Sequence, residues 1–253
     1  FVFCQPECDG IASLVIARRR SGLRKGELIM SKKKPNRFDD GFQQELVKYA
    51  SFVGDTPMPE LIYQNNISIP RKLIPFEKIK TEKDKRGYIH FFIHDKLFQE
   101  FIADVKKYIP LLSQYDGVLT PDCSMAIRQL DYLQKTNNYF RQAVGVYLQQ
   151  CGIPIIPTVR WSDESSLEYC LNGIPKNYII AISTHGCIKS NEQKELFRKC
   201  LIKVIEILKP SDVLVHGYMP NKVFGGLETL TKFHRYPNHY EEKCRRRDKN
   251  GNI

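Results

Sequence analysis

From Tyr88 onward the sequence alternates between short apolar runs and longer stretches of helical character, and this rhythm limits the possible folds more than any other feature. The run YIHFFIHD at 88–95 is β-branched and aromatic, and the stretch at 96–112 repeats apolar residues at helical spacing. Further apolar runs begin near residues 115, 153, 177 and 212. The intervening stretches predict a long helix over 125–150 and another at about 189–208. Strands separated by such connections are typically parallel.

We therefore predict an α/β protein with an open, mostly parallel sheet and helices on both faces. Runs such as IIAI at 179–182 and VLV at 213–215 are apolar on both faces of a strand, as expected when each face is covered. Five or six strand units are too few for a complete eight-stranded barrel. A barrel-like α/β arrangement is the alternative.

The formal net charge of +11 is concentrated near the two ends of the chain. Residues 31–37 carry four basic and no acidic side chains, and the segments 1–30 and 241–253 each carry five basic and three acidic side chains. We predict a basic N-terminal extension over 1–37 that is disordered or spurious, a single α/β domain over 38–240, and a basic C-terminal tail over 241–253. Met30 opens the lysine-rich stretch, so a natural start there would make residues 1–29 an upstream extension.

The eight cysteines are scattered along the chain, which indicates reduced thiols and a cytoplasmic protein rather than a disulfide framework. The apolar run IASLVIA at 11–17 is too short for a membrane span and is followed, not preceded, by arginines. No membrane association is therefore predicted. The spacing of His234, His239 and Cys244 would permit a metal clip, but their surroundings look like plain surface, and no metal site is predicted.

Polar and ionisable residues gather where the predicted strands end, and ligands of parallel α/β sheets bind beyond those ends. Histidine beside carboxylates is the usual acid/base pairing, because histidine titrates near neutrality. We assign catalytic roles on this ground to Asp122, Asp163, Glu164, His185 and His216. We assign substrate binding to the neighbouring residues His94, Arg160, Trp161, Ser183 and Thr184.

Each of these residues also has a structural interpretation. Asp122 and Asp163 could cap the helices that follow them, and His94 could be a surface residue at a strand end. Cys123 and Cys187 could be nucleophiles near helix N-termini, but a buried structural thiol explains them more simply. No G-x-G-x-x-G, GK[ST], H-E-x-x-H or G-x-S-x-G motif is present, so no cofactor is assigned.

Four segments together resemble a known family: GVLTPD at 117–122, IPIIPTVRWSDESSLEYCLNGIP at 153–175, AISTHGCIK at 181–189 and VLVHGY at 213–218. They closely resemble the phage and mobile-element family called domain of unknown function 4417, from about Ile74 to about Tyr218. The block around Trp161, Asp163 and Glu164 is the most specific part. Cys123 stands where members often carry an aromatic residue, which weakens a catalytic role for this thiol. The resemblance implies a prokaryotic or phage cytosolic setting and supplies no activity.

Two functions are consistent with these features. The first is an enzyme with hydrolase-type activity, acting on a glycosidic or phosphate bond of a nucleic acid or a nucleotide-like substrate in the polar cleft. The second is a non-catalytic nucleic-acid-binding or accessory protein that uses its basic ends, whose affinity would depend on salt. The basic ends could equally be solvated tails that aid solubility. The polar strand ends favour the enzyme.

Overall fold

The computed structural model describes residues 43–238, 240–241 and 244. The predicted N-terminal extension, most of the predicted C-terminal tail and His239 of the conceivable metal clip lie outside the described residues. Within the described ranges, no helix combines the length and the apolar character that a bilayer crossing requires.

Two short antiparallel strands precede the main sheet, namely β1 (Phe52–Val53) and β2 (Met58–Pro59). The remaining strands are all parallel to their neighbours, as predicted from the long connections between them. They are β3 (Leu73–Pro75), β4 (Tyr88–His90), β5 (Gly117–Leu119), β6 (Ile155–Ile156), β7 (Ile179–Ser183), β8 (Asp212–His216) and β9 (Lys232–Tyr236).

The spatial order of the parallel strands is the same as their order in the chain. Strands β3 to β6 form one sheet and β7 to β9 another. A parallel bridge between Thr158 and Ala181 joins the two sheets just beyond β6. There Val159 N donates to Ala181 O and Ala181 N donates to Pro157 O, each at 2.8 Å. The two sheets therefore continue one another.

Two long helices and several short ones connect the strands. The α-helices are α1 (Gln99–Ala103), α2 (Ile109–Leu112), α3 (Asp131–Gln150), α4 (Leu167–Cys170), α5 (Asn191–Leu208) and α6 (Asn221–Phe224). Single 3₁₀ turns occur at Gln44–Val47, Phe76–Lys78, Asp95–Leu97, Lys106–Tyr108 and Leu227–Thr229. Helix α5 starts where its sequence dictates, because Ser190 and Gln193 form a reciprocal capping box at its first turn.

The convex face of the sheet packs against the long helices. In the first half, Ile89 and Val118 belong to one buried cluster with Val144 and Leu148 of α3. In the second half, side chains of β7 and β8 form another buried cluster with side chains of α5 and α6: Ile180, Ile182, Val213, Val215, Leu201, Val204, Val223 and Phe224. Alternate residues of each strand point to this face, in keeping with the period of two of an extended chain.

The opposite, concave face packs against itself. Its buried cluster draws one or two residues from each of β4 to β9 together with Phe92 just after β4, and none of the described helices contributes: Tyr88, Phe92, Leu119, Ile156, Ile179, Ala181, Leu214 and Tyr236. The ring of His90 at the end of β4 also lies 5.0 Å from that of His216 at the end of β8, and a contact between strands this far apart in the order requires a strongly curved sheet. The open, mostly parallel α/β sheet with its connecting helices is confirmed. The helices contribute to the two clusters of the convex face, whereas the cluster of the concave face contains no residue of a described helix. The curvature of the sheet is a feature of the barrel-like alternative. The Tyr236 hydroxyl donates to Pro70 O at 2.6 Å and links the last strand to the segment before β3.

Candidate active site

A cavity of about 410 Å³ opens at the carboxyl ends of β5, β6 and β7, beside the first turns of α5. This volume is within the usual range of small-molecule sites. Its apolar wall includes Met125, Ile127, Val159, Trp161, Leu196 and Phe197. Its polar wall includes Ser124, Arg160, Ser162, Ser183, Cys187 and Gln193. The ring of Trp161 packs on Phe197 with centroids 4.9 Å apart. An aromatic wall facing a guanidinium is suited to a ligand that is partly apolar and partly anionic.

Arg160, on the polar side of this cavity, forms an ion pair with Asp122, which is not part of the lining. Arg160 Nη1 donates to Asp122 Oδ2 at 3.3 Å, and the aspartate is only 8% exposed. Neither Asp122 Oδ1 nor Arg160 Nε has a hydrogen-bond partner among the described residues. Burial raises the pKa of the Asp122 carboxyl, although the charges of Arg160 and Arg141 oppose that rise. A carboxyl whose pKa moves toward neutrality is suited to donating and accepting protons.

A second arginine, Arg141 of α3, lies close to this pair and is fully buried. Its Nη1 donates to Asn138 Oδ1 at 2.8 Å, and within the part of the chain that the structure describes it has no carboxylate partner. Asp95 supplies the other nearby negative charge, and its carboxylate accepts hydrogen bonds from Ser124 N and Oγ at 3.1 and 2.8 Å. Two arginines thus face two carboxyls, and burial shifts one of those carboxyls toward its neutral form. The region retains a positive bias that favours an anionic ligand.

A second polar group forms where β7 and β8 end on the concave face. Ser183 and His216 are register partners, and Ser183 Oγ lies 3.3 Å from His216 Nδ1. The His216 ring stacks on Phe92 with centroids 4.8 Å apart and lies 5.0 Å from the ring of His90. Burial lowers the pKa of His216 to about 3, with a smaller contribution from the charge of His185. His216 is therefore neutral at physiological pH.

A second buried histidine, His90, lies at the end of β4. Its Nδ1 accepts a hydrogen bond from Phe92 N at 3.1 Å. Burial lowers its pKa well below the usual value, with added repulsion from His216 and Lys78. His90 and His216 together line a small cavity of about 40 Å³ that also includes Glu77. Because Ser183 lines the large cavity and contacts His216, it connects the two.

Several residues assigned to the site from the sequence have structural contacts instead. Asp163 Oδ1 accepts hydrogen bonds from Ser165 N at 3.0 Å and Ser166 N at 3.3 Å, so it stabilises the turn before α4. Glu164 forms ion pairs with Lys199 and Lys203 on the surface of α5. Neither carboxylate lines the cavity.

The remaining assigned residues lie at the rim or within the sheet. His94 is exposed and caps the 3₁₀ turn Asp95–Leu97, its Nδ1 accepting from Lys96 N at 3.3 Å. Thr184 is buried, and its hydroxyl donates to Tyr218 O at 2.8 Å. His185 is exposed, and its backbone N donates to Ser183 Oγ at 3.2 Å. The structure therefore brings Arg160, Trp161 and Ser183 into the lining of the cavity. Asp122 and His216 contact this lining through Arg160 and Ser183 without forming part of it, and the other assigned side chains lie outside the cavity.

The thiols near the cavity are not activated. Burial raises the pKa of Cys123 to about 12, and burial also raises that of Cys187, which lines the cavity. Among the residues described, no group of three or more histidine, cysteine, aspartate and glutamate side chains is arranged to hold a metal ion. His234 of the conceivable clip instead contacts Asp212, with Nε2 at 2.7 Å from Oδ1.

Sequence reasoning missed two central residues, His90 and Arg141. His90 was placed inside a strand extending to residue 95, whereas the strand ends at His90 itself. His90 lies two residues after Tyr88, so the two side chains point to the same face of the strand. This alternation could have indicated that His90 is buried with Tyr88. Arg141 carries no such signal, because a single arginine in an amphipathic helix normally faces solvent.

Comparison with known proteins finds a matching family model and two similar phage proteins. A family model described as a domain of unknown function (DUF4417) matches residues 50–237, well over half of the chain. The Gene 1 protein of Mycobacterium phage L5 is 32% identical over 133 residues, which are 53% of this chain and 58% of that protein. The Gene 1 protein of Mycobacterium phage D29 is 29% identical over 131 residues, which are 52% of this chain and 48% of that protein. The chain thus spans about half the length of these curated relatives. No solved structure matches the chain.

Proposed function

The chain belongs to the DUF4417 family, and we propose that it is an enzyme of hydrolase type acting on a nucleic acid or a nucleotide-like substrate. One observation carries this proposal. Arg160 lines the cavity and pairs with the buried Asp122, and each partner keeps a polar atom without a hydrogen-bond partner among the described residues. Such atoms are costly to bury, and a ligand that contacts them would remove the cost.

The walls of the cavity support a nucleotide unit as the ligand. Trp161 and Phe197 supply an aromatic surface on which a base or sugar can pack, and Arg160 supplies a planar donor for phosphate oxygens. The volume of about 410 Å³ suits a small molecule rather than a duplex. A nucleic acid would therefore enter as a single unstacked nucleotide.

The chemistry assigned to each residue follows from its surroundings. Arg160 anchors the anionic group of the substrate through its guanidinium. Asp122, whose pKa is raised by burial, donates a proton to the leaving oxygen and then accepts one from water. His185 is exposed and directly precedes Gly186 of the cavity lining, which supports a role in contacting the part of the substrate outside the cavity. Asp163 and Glu164 have no role in this scheme, because they stabilise a turn and a helix surface.

The setting of this enzyme is proposed to be the cytoplasm. All the described cysteines are free. Free thiols are the normal state in a reducing compartment. No cofactor enters the proposal.

The test is turnover of three substrate classes by the purified full chain. Single-stranded DNA, single-stranded RNA and 5′-nucleoside monophosphates are incubated separately, and the products are identified by chromatography and mass spectrometry. We expect turnover of at least one class and a loss of about 100-fold or more in Asp122→Asn and Arg160→Met. Asp212→Asn is the matched control, because this partly buried aspartate also pairs with a basic side chain but lies at the other end of β8. Absence of turnover with all three classes, or full activity of Asp122→Asn, would overturn the proposal.

A second candidate, nucleic-acid binding without catalysis, is supported by the charge distribution. The basic residues outside the central domain give the chain most of its net charge of +11. If these ends bind phosphates, affinity for DNA or RNA falls steeply with salt and drops when the basic residues in 31–37 or 243–249 are neutralised. Affinity that does not change with salt would exclude this function. Salt-dependent affinity without turnover would favour it over the enzyme.

A further inference from the structure

We propose that Ser183 is a nucleophile activated by His216, so that the reaction proceeds through a covalent intermediate on the Ser183 hydroxyl. This inference rests on the proposed function and specifies how the bond is broken. The two residues are register partners at the carboxyl ends of β7 and β8, and their side chains meet at 3.3 Å on the concave face of the sheet. A serine beside a base is the usual arrangement of an activated hydroxyl nucleophile.

Comparison of the cavity serines singles out Ser183. Three serine side chains line the cavity, namely Ser124, Ser162 and Ser183. Ser124 Oγ contacts the Asp95 carboxylate at 2.8 Å, and Ser162 Oγ donates to Gln134 Oε1 at 2.6 Å. Ser183 is the one of the three whose hydroxyl contacts an imidazole nitrogen. A neutral imidazole nitrogen accepts a proton more readily than an amide oxygen.

The surroundings hold the serine hydroxyl and the imidazole in this arrangement. The backbone N of His185 donates to Ser183 Oγ at 3.2 Å and occupies one of its lone pairs. The serine O–H has two acceptors at 3.3 Å, His216 O and His216 Nδ1, and it is activated when it points at Nδ1. The His216 ring is fixed between Phe92 and His90. Burial keeps this ring neutral, and Nδ1 accepts when the proton is on Nε2. Burial also makes the ring a weaker base, so the proposed proton transfer relies on the negative charge of the bound phosphate to stabilise the imidazolium.

The reaction balances with the residues in place. Ser183 Oγ attacks the phosphorus of a phosphate ester, and its proton passes to His216 Nδ1. The bond from phosphorus to the leaving oxygen breaks, and that oxygen takes the proton of the Asp122 carboxyl. Water then attacks the phosphoserine and gives a proton to the Asp122 carboxylate. The bond from Ser183 Oγ to phosphorus breaks, and Oγ recovers its proton from His216.

A fluorophosphonate probe tests the nucleophile without a known substrate. Attack by Ser183 would form a serine phosphonate and release fluoride. We expect one label per full-length chain, located on the Ser183 peptide by mass spectrometry, and none in Ser183→Ala. His216→Gln should slow labelling by about 100-fold or more, because the hydroxyl loses its base. Ser113→Ala serves as control, since this hydroxyl follows the last residue of α2 and donates to Ile109 O of that helix.

Two readouts separate this inference from the proposed function. Label on Ser124 or Ser162, or no label at all, overturns the inference. If Ser183→Ala turns over nucleotides at the wild-type rate, the nucleophile is wrong while the proposed function stands. If Ser183 is labelled but no nucleotide or nucleic acid is turned over, the substrate class is wrong while the nucleophile stands. Ser183→Ala removes a single oxygen, so this variant decides the question even if His216→Gln does not fold.

Discussion

Asp122 and Arg160 come from the loops that follow β5 and β6, and they meet in an ion pair whose two partners are both largely buried. The Nη1 to Oδ2 contact is 3.3 Å, and one polar atom on each side chain lacks a hydrogen-bond partner among the described residues. Burying two charges with incomplete hydrogen bonding contributes little to folding. The pair therefore matters more for the cavity than for the stability of the domain.

The first prediction concerns this ion pair. Arg160→Met should destabilise the protein by about 3 kcal/mol at pH 7, because it leaves the Asp122 carboxylate buried without its cation. Asp122 has a raised pKa in the folded state, so its protonated form is the one that folding favours. The destabilisation of Arg160→Met should therefore shrink as the pH falls toward 4. Urea denaturation at several pH values measures this change.

A double variant provides the control for that prediction. Asp122→Asn combined with Arg160→Met removes both charges and should be considerably more stable at pH 7 than Arg160→Met alone. If the single and double variants were equally stable at pH 7, the pair would carry no energetic coupling.

The second prediction concerns acid stability. The pKa of His216 is about 3 in the folded protein against the usual 6.5, so between these values the unfolded chain binds the proton and the folded chain does not. The stability that His216 contributes is complete above pH 6.5 and is lost as the pH falls toward 3. At pH 5 this loss is about 2 kcal/mol. Denaturant unfolding at pH 7 and pH 5 should show a smaller decrease for His216→Gln than for the wild type, and equal decreases would contradict the buried neutral imidazole.

The third prediction concerns Gly173, where the backbone has φ of +73°. A Cβ atom at this position would lie 2.4 Å from Pro59 O and 3.0 Å from Gln142 Oε1. Gly152 has nearly the same φ, +75°, but a Cβ there meets no atom within 4 Å. Gly152→Ala should lower the free energy of unfolding by about 1 kcal/mol, because of backbone strain alone. Gly173→Ala should lower it by about 1 to 3 kcal/mol more, because the added Cβ clashes with its neighbours. Thermal unfolding compares the two, and equal losses would exclude the steric contribution.

The fourth prediction concerns Arg141. Arg141→Met fills a similar volume but leaves Asn138 Oδ1 without its donor, so we expect a loss of about 1 to 3 kcal/mol in the free energy of unfolding. Arg71→Met removes an exposed arginine and should change stability by no more than about 0.5 kcal/mol. The affinity of the same two variants for a nucleotide shows whether the positive charge of Arg141 contributes to binding an anionic ligand near Asp122 and Arg160. An unchanged stability of Arg141→Met would mean that Asn138 finds another partner.

The alternation of apolar runs was sufficient to predict the α/β class and the parallel pairing. Helix α5 was predicted at about 189–208 and runs from Asn191 to Leu208. The Ser190 and Gln193 capping box marks its start, a local signal that the prediction did not use. Helix α3 was predicted from residue 125 but begins at Asp131. The preceding loop has no proline after residue 121, and its apolar Met125 and Ile127 line the cavity instead of a helix face. The spacing of apolar residues could not distinguish a side chain that lines a cavity from one that packs on the buried face of a helix.

The site was predicted in part for a similar reason. Asp122 and Asp163 both follow apolar runs in the sequence, but only Asp122 pairs with a buried arginine, while Asp163 accepts backbone N–H groups in a turn. A capping aspartate and a catalytic aspartate look alike in sequence, because their difference depends on what a distant segment places beside them. The end of β4 was misplaced because Phe91 and Phe92 continue the apolar run while packing in two different clusters.

The chain-ordered arrangement of β3 to β9 also bears on how the protein assembles. Each strand pairs with the one synthesised immediately before it, so the sheet can grow in the direction of translation without waiting for a distant partner. The contact between Tyr236 and Pro70 spans almost the whole sheet and forms only after β9 has docked. Loss of that one hydroxyl would therefore affect the last event of folding and leave the earlier ones unchanged.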